Sequence, residues 1–314
     1  MFGLIQSEEL DPNLIGNSAA ILTAFLWTGS SIMFTSAGKR IGFFSVKAFR
    51  STIAVGMLAL AHVLLFGYVL PVASSEQWFL MGLSGIVGLG IGDFGLFASY
   101  LLIGPRRSLL IMASSPIFAS ASAFLMLGET FPALAILGIA ITLIGIFVVV
   151  FEKENDTKEA TNKGKRKAWG IFAALVAAAG QGIGIALSKE GMYIGGGAAM
   201  NPVSAALIRM VAATLFVWAS ALLLNKWSEL RKTARDKEGW KFVTGGTFIG
   251  PFLGMTLSLF AVAYTQAGIA QTLLSLEPLI IIPFMWLVYR ERTNPRGIIG
   301  AAIAVAGVAV LMLT

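Results

Sequence analysis

The sequence predicts an all-α, polytopic membrane protein of ten transmembrane helices arranged as two inverted five-helix repeats. Three observations predict it. First, 57% of the 314 residues are hydrophobic and only 12% are charged, with a mean hydropathy of +0.82, whereas a soluble domain carries roughly 25% charged residues. Second, apolar stretches of the roughly 20 residues that a spanning helix needs recur along the whole chain. Third, four residues return in the same order at a constant offset of 162: Pro116, Glu129, Gly138 and Gly145 reappear as Pro278, Glu291, Gly300 and Gly307.

Residues 1–13 contain Glu8, Glu9 and Asp11 but no Lys or Arg, so they lack the basic start of a cleavable signal peptide and the first apolar segment is expected to stay. That segment, 14–37, carries Trp27; the second, 42–66, carries Lys47 and Arg50; the third, 78–102, has Asp93 among glycines and Tyr100 near its end. The fourth, 106–127, contains Pro116, and the fifth, 131–151, contains Gly138 and Gly145 seven residues apart on one face, a helix-packing pattern. A polar, charged run at 152–167 then divides the first repeat (14–151) from the second (168–314). Segments six to ten follow at 168–188, 201–225, 240–265, 269–289 and 295–313. Register shifts slightly upstream of the strict repeat: Ser45 and Arg50 match Ser204 and Arg209 at an offset of 159, and Tyr100 and Gly104 match Tyr264 and Gly268 at 164. Five segments per half is odd, so the second copy enters the membrane from the opposite side, as in folds that expose a central site alternately to each face.

Nineteen of the 23 Lys and Arg lie in the turns after the odd-numbered segments or beside them; the other four, Lys47, Arg50, Lys189 and Arg209, lie within helices or at their ends. By the positive-inside rule the odd turns are cytoplasmic and both termini lie outside. The net charge of +7 is therefore read as topology, not as nucleic-acid binding. Arg106 and Arg107 read as headgroup anchors, and Lys163 to Lys167 as a basic patch on anionic lipid. With no cysteine, the single histidine His62, dispersed acids and no GxxxxGK[ST] loop, the sequence predicts no cofactor, no metal site and no direct use of ATP.

The motifs resemble the EamA-like, ten-helix branch of the drug/metabolite transporter superfamily across nearly the whole chain. The likeness rests on Ala24-Phe25-Leu26-Trp27-Thr28-Gly29-Ser30, on the duplicated Arg50 and Arg209, and on Leu276-Glu277-Pro278 followed by Arg290-Glu291-Arg292 and Gly300. The first half departs from the pattern, with Ser115 in the place of Glu277 and Pro105-Arg106-Arg107 ahead of the fourth helix. The resemblance implies transport of small metabolites, often amino acids or drugs moved outward. It also implies a central cavity lined by helices one, three, four, six, eight and nine, with helices five and ten packed peripherally.

Ionisable groups inside a bilayer cost on the order of 2.5–3.5 kcal/mol each, so they are functional candidates by default. Asp93 is read either as a proton-coupling carboxyl or as a structural one bonded to an arginine or a backbone amide. Glu277 is read either as binding a substrate amine or exchanging a proton, or as a salt bridge to Arg50 or Arg209. Arg50 is expected to snorkel to the interface together with Lys47, and Arg209 to share Arg50's structural task from the other side. Pro116 and Pro278 are expected to kink their helices as paired hinges. Trp27, Tyr100, Gln181, Tyr264 and Gln271 complete the expected solute-binding set with Asp93 and Glu277. Lys189 and Glu190, before the glycines at 195–197, are read as a solvated loop or an outer gate.

These readings converge on a permease, not an enzyme, in the bacterial inner membrane. Its partners are a small amino acid-like or drug-like solute and the lipid bilayer, and it works by alternating access as a facilitator or proton-linked exporter. Two alternatives are a non-transporting sensor or assembly subunit on the same scaffold, and a membrane enzyme acting on lipid-linked substrates. The last would need acids, histidines or metal ligands gathered at one membrane face, and this sequence disperses them.

Overall fold

The computed structural model describes residues 11–103, 108, 111–150, 163–194, 199–227, 230, 233, 236–277, 279–280 and 295–313. The described residues contain helices and no strands. We number the major helices α1 (Pro12–Ile41), α2 (Phe43–Phe66), α3 (Ser75–Ile103), α4 (Ser115–Leu127), α5 (Ala133–Val150), α6 (Lys163–Tyr193), α7 (Pro202–Leu223), α8 (Lys237–Tyr264), α9 (Ala267–Leu274) and α10 (Pro295–Leu311). Six of them, α1, α2, α3, α6, α7 and α8, are long and apolar enough to cross a membrane on their own; α4, and apolar stretches within α5 (Ala133–Val148) and α10 (Ile298–Leu311), are shorter. Helix α6 starts at Lys163, inside the run read as a linker.

Local chemistry sets the helix ends. Asp11 accepts the Asn13 N–H at 3.0 Å and Pro12 occupies the first turn, where its missing N–H is no loss. Gly42, at φ +80°, permits the one-residue turn between α1 and α2, and Gly67, at φ +81°, ends α2. Helix α3 opens on a capping box of Ser74 and Gln77, whereas α8 opens on Asp236, whose carboxylate accepts the Gly239 N–H at 2.9 Å. Within the helices, hydroxyls of Thr23, Thr28, Thr142, Ser188 and Thr272 each bond the carbonyl four residues back at 2.8 Å, which satisfies them where lipid offers no partner.

Two irregularities are duplicated. A π-helical turn interrupts α3 at Gly85–Gly92 and α8 at Phe248–Gly254. Glycines at 85, 88, 90 and 92 weaken the regular helix in the first, and Pro251 removes a backbone donor in the second. The fourth and ninth segments are each broken at the same place: helical residues give way to a turn at 113–114 and at 275–276, and helix resumes at Ser115 and Glu277. Pro116 does not kink a continuous helix as expected. It sits in the first turn of the resumed helix α4, a position that suits proline, and the break itself lies just before it. Pro278 lies outside the described residues.

Equivalent helices run antiparallel, as inversion requires. A Cβ on Gly138 would lie 2.9 Å from the Leu311 side chain, while one on Gly145 would overlap the Ala304 backbone, so α5 and α10 cross in opposite directions at their glycines. The two pack directly on each other. Between α2 and α7, Trp218 donates to Thr52 Oγ1 at 2.9 Å at one end and His62 Nε2 meets Ser204 Oγ at 3.0 Å at the other. His62, with Nδ1 on the Tyr68 carbonyl at 2.7 Å, is a packed structural group.

Candidate functional site

Each π-turn packs against the first helix of the other repeat, and this brings the two repeats into contact. Gln181 on α6 lies beside Gly92 at the end of the first π-turn; Trp27 on α1 lies beside Gly254 at the end of the second, where a Cβ would sit 2.7 Å from the indole Nε1.

Asp93 immediately follows the first π-turn and is 7% exposed. Its Oδ2 takes Lys47 Nζ at 3.0 Å and a short bond from Arg50, and its Oδ1 accepts Gln181 Nε2 at 3.3 Å. Lys47 also donates to the Leu89 carbonyl at 2.7 Å, an oxygen within the π-turn. Lys47 and Arg50 therefore do not snorkel to the interface. Lys47 is 2% exposed, with its ammonium 4.9 Å from the Phe94 ring centre, and Arg50 lies over Phe34 at 5.1 Å. The sequence reading missed Lys47 as a site residue, although its spacing three before Arg50 puts both cations on one face of α2.

Glu277, the first residue after the break in the ninth segment, accepts a short hydrogen bond from Ser31, and its carbonyl lies 3.5 Å from Thr28 Oγ1. The expected salt bridge to Arg50 or Arg209 does not form: Arg50 goes to Asp93. Tyr100 lies within electrostatic reach of Glu277, Asp93 and Arg50 together. Gln271, before the same break, donates to Ser115 Oγ at 2.9 Å, and Ser115 lies 3.4 Å from Ser275 Oγ. The two broken segments thus meet at their breaks. Tyr264 is placed elsewhere, 45% exposed with its ring on Phe260 at 4.7 Å, so the duplicated tyrosines occupy unlike surroundings.

Arg209 is 1% exposed, with its Nη2 lodged where a Cβ on Gly88 or Gly184 would come within 2.9 or 3.2 Å. It is within electrostatic reach of Asp93, yet among the described residues its Nε and Nη1 have no hydrogen-bond partner. Among the described residues, three cations therefore gather around one π-turn and the single carboxylate, Asp93, that follows it.

A second polar contact joins the repeats at the opposite ends of the same helices. Lys189 Nζ reaches Glu129 Oε1 and the Thr265 carbonyl, both at 2.6 Å, while Glu129 Oε2 accepts the Ala267 N–H at 3.0 Å and so caps α9. Lys189 is thus fixed and largely buried instead of belonging to a solvated loop, and the glycines at 195–197 lie outside the described residues.

The chain matches the EamA-like transporter family over residues 14–151 and 168–313, one match to each repeat. A solved structure titled "Crystal structure of protein" is similar with a TM-score of 0.77 at 15% identity, covering 95% of this chain and 96% of that one, which is a likeness of fold. No significant match is found among curated proteins.

Proposed function

The chain belongs to the EamA-like transporter family, and from that premise we propose that it carries a small metabolite across the bilayer by alternating access, with export as its direction. One observation carries this reading: both repeats break the same helix at the same place, and the breaks meet through Gln271, Ser115 and Ser275. Broken helices facing each other at a repeat interface leave backbone groups available to a solute, and unbroken ones do not. The Lys and Arg asymmetry supports a cytoplasmic face at the α1–α2, α5–α6 and α7–α8 turns with both termini outside, in the inner membrane of a bacterium. A C-terminal reporter active only in the cytoplasm tests that orientation, and activity would overturn it.

Of the two central carboxyls, Glu277 is the one we assign to proton exchange. Its described partner is a hydroxyl, so taking a proton breaks no ion pair, whereas Asp93 would have to abandon Lys47 and Arg50. Trp27, Tyr100, Gln181 and Gln271 are assigned to the solute. The test is flux into proteoliposomes from a labelled panel of amino acids and organic acids, with and without a pH gradient. Glu277→Gln is expected to lose gradient-driven flux and keep counterflow exchange; unchanged gradient dependence would remove the assignment. Absence of flux for every solute would remove the carrier reading itself.

A further inference from the structure

We propose that Arg209 is the anchor for an oxyanion on the solute, so that the cargo is a small organic anion. This rests on the carrier reading above and specifies its cargo. The argument starts from the duplication. Arg50 and Arg209 are equivalent in the two repeats, but among the described residues only Arg50 has an acidic partner, because Asp93 directly follows the first π-turn. The residue that directly follows the second π-turn is Met255, and the second repeat has no acidic residue at all between Glu238 and Glu277. Arg209 has thus kept its cation and its burial while the counter-ion of its own repeat is missing.

An arginine 1% exposed in an apolar bundle, with three of its five N–H donors on Nε and Nη1 unbonded, is expensive unless something completes it. Asp93 does not: its oxygens are taken by Lys47, Arg50 and Gln181. The guanidinium is also held in place, since Gly88 and Gly184 leave a slot for Nη2 that any side chain would fill. A fixed, dry, planar donor set is the arrangement that recognises a carboxylate or a phosphate monoester in preference to a neutral or cationic group. The surrounding charge agrees. Lys47 and Arg50 pair with Asp93 and Arg209 lies within its electrostatic reach, three described cations around one described carboxylate, so an arriving anion lowers the electrostatic energy there and an arriving cation raises it.

The experiment uses the full chain in nanodiscs, titrated calorimetrically with three-carbon probes: pyruvate as carboxylate, glycerol 3-phosphate as phosphate monoester, propionamide as neutral control and propylamine as cation. Binding by one or both oxyanions, with the neutral and cationic probes at least tenfold weaker, is expected; which oxyanion binds separates the two sources of that chemistry. Arg209→Met should weaken oxyanion binding roughly 10- to 100-fold, the loss of a charged, bidentate contact. Should that variant not fold, Gly88→Ala serves instead. Its Cβ would meet the flexible end of Arg209 at 2.9 Å and other atoms no closer than 3.4 Å, so the fold persists and the guanidinium is displaced, weakening binding several-fold. The proposal is overturned if neither oxyanion binds, if the neutral or cationic probe binds as tightly, or if the substitutions leave oxyanion affinity unchanged. Proteoliposome flux of a neutral or cationic solute would then leave the carrier reading standing without this inference.

Discussion

At the ends of the two π-turns the repeats diverge. After the first comes Asp93, gripped by two cations and an amide; after the second comes Met255, inside an apolar cluster with Leu207, Ile208 and Met210. Three features that shape the backbone are duplicated: the π-turns, the breaks at 113–114 and 275–276, and the glycine crossing of α5 and α10. The charged chemistry is not. Lys47 and Asp93 belong to the first repeat alone, and Glu277 stands where the first repeat has Ser115. On the alternating-access reading proposed above, symmetry serves the motion, which needs two halves able to exchange shapes, and asymmetry serves recognition, which needs one solute bound one way.

The largest test of that division is Asp93→Asn. It leaves Lys47 and Arg50 buried without a counter-charge, and removing one member of a buried pair costs about 3–5 kcal/mol. A large fall in thermal unfolding temperature is expected, partly recovered by Lys47→Met in the same chain, because the double variant buries one cation fewer. Met255→Ala in the other repeat should lose stability through packing alone, and no charge substitution should rescue it. Equal behaviour at the two positions would mean that the charged end has no structural consequence.

The backbone symmetry is tested next. Alanine at Gly145 or at Gly307 gains up to about 1 kcal/mol in helix propensity. Each new Cβ, however, would overlap backbone of the partner helix, at Ala304 or at Thr142, and overpacking of about 1–3 kcal/mol wins. Both variants should lose stability by similar amounts. Gly56→Ala, with nothing within 4 Å, should instead gain roughly 0.5–1 kcal/mol. Unequal losses at Gly145 and Gly307 would show that the crossing is not shared evenly.

What the sequence made legible follows the same line. The offset of 162, the apolar spans and the glycine pairs are local or periodic signals, so the repeats and the helix packing could be read directly. Asp93, Gln181 and Glu277 stood out because polar groups in apolar runs are few. Three features were not legible. The position of Lys47 depends on the rotational phase of α2, which sequence spacing alone does not fix, so a lysine near a helix start read as interfacial. The π-turns leave no periodic trace beyond glycines and Pro251. The Lys189–Glu129 contact joins α6 to the end of α4 across the repeats, and nothing in either segment's pattern names the other. Tyr100 and Tyr264 show the converse: a duplicated residue need not be given a duplicated environment.

A smaller effect is expected from Glu129→Gln. The amide keeps an acceptor for the Ala267 N–H and Lys189 keeps the Thr265 carbonyl, so only one cation loses its counter-charge, against two at Asp93, and a smaller shift in unfolding temperature is expected. Lys189→Met should cost a similar amount, and the double variant less than the sum, because the two act as one contact. Additive losses would mean that the pair does not couple the repeats.

The smallest difference separates the first turns of the equivalent helices α3 and α8. The Ser74 cap of α3 has no titratable group, whereas the Asp236 cap of α8 does. The Gly239 N–H, and then Arg40 at 3.5 Å, hold the exposed Asp236 carboxyl below its ordinary value. A depressed folded-state value means that the cap's contribution is present in full above the ordinary aspartate range near about 4, and is lost as pH falls through the folded value. Asp236→Asn should therefore differ from the parent chain slightly at neutral pH, and the two should converge on acidification. Ser74→Ala should show a pH-independent offset. A gap between Asp236→Asn and the parent that persisted undiminished in acid would mean that the cap acts through its geometry and not its charge, and that the two helix starts are alike after all.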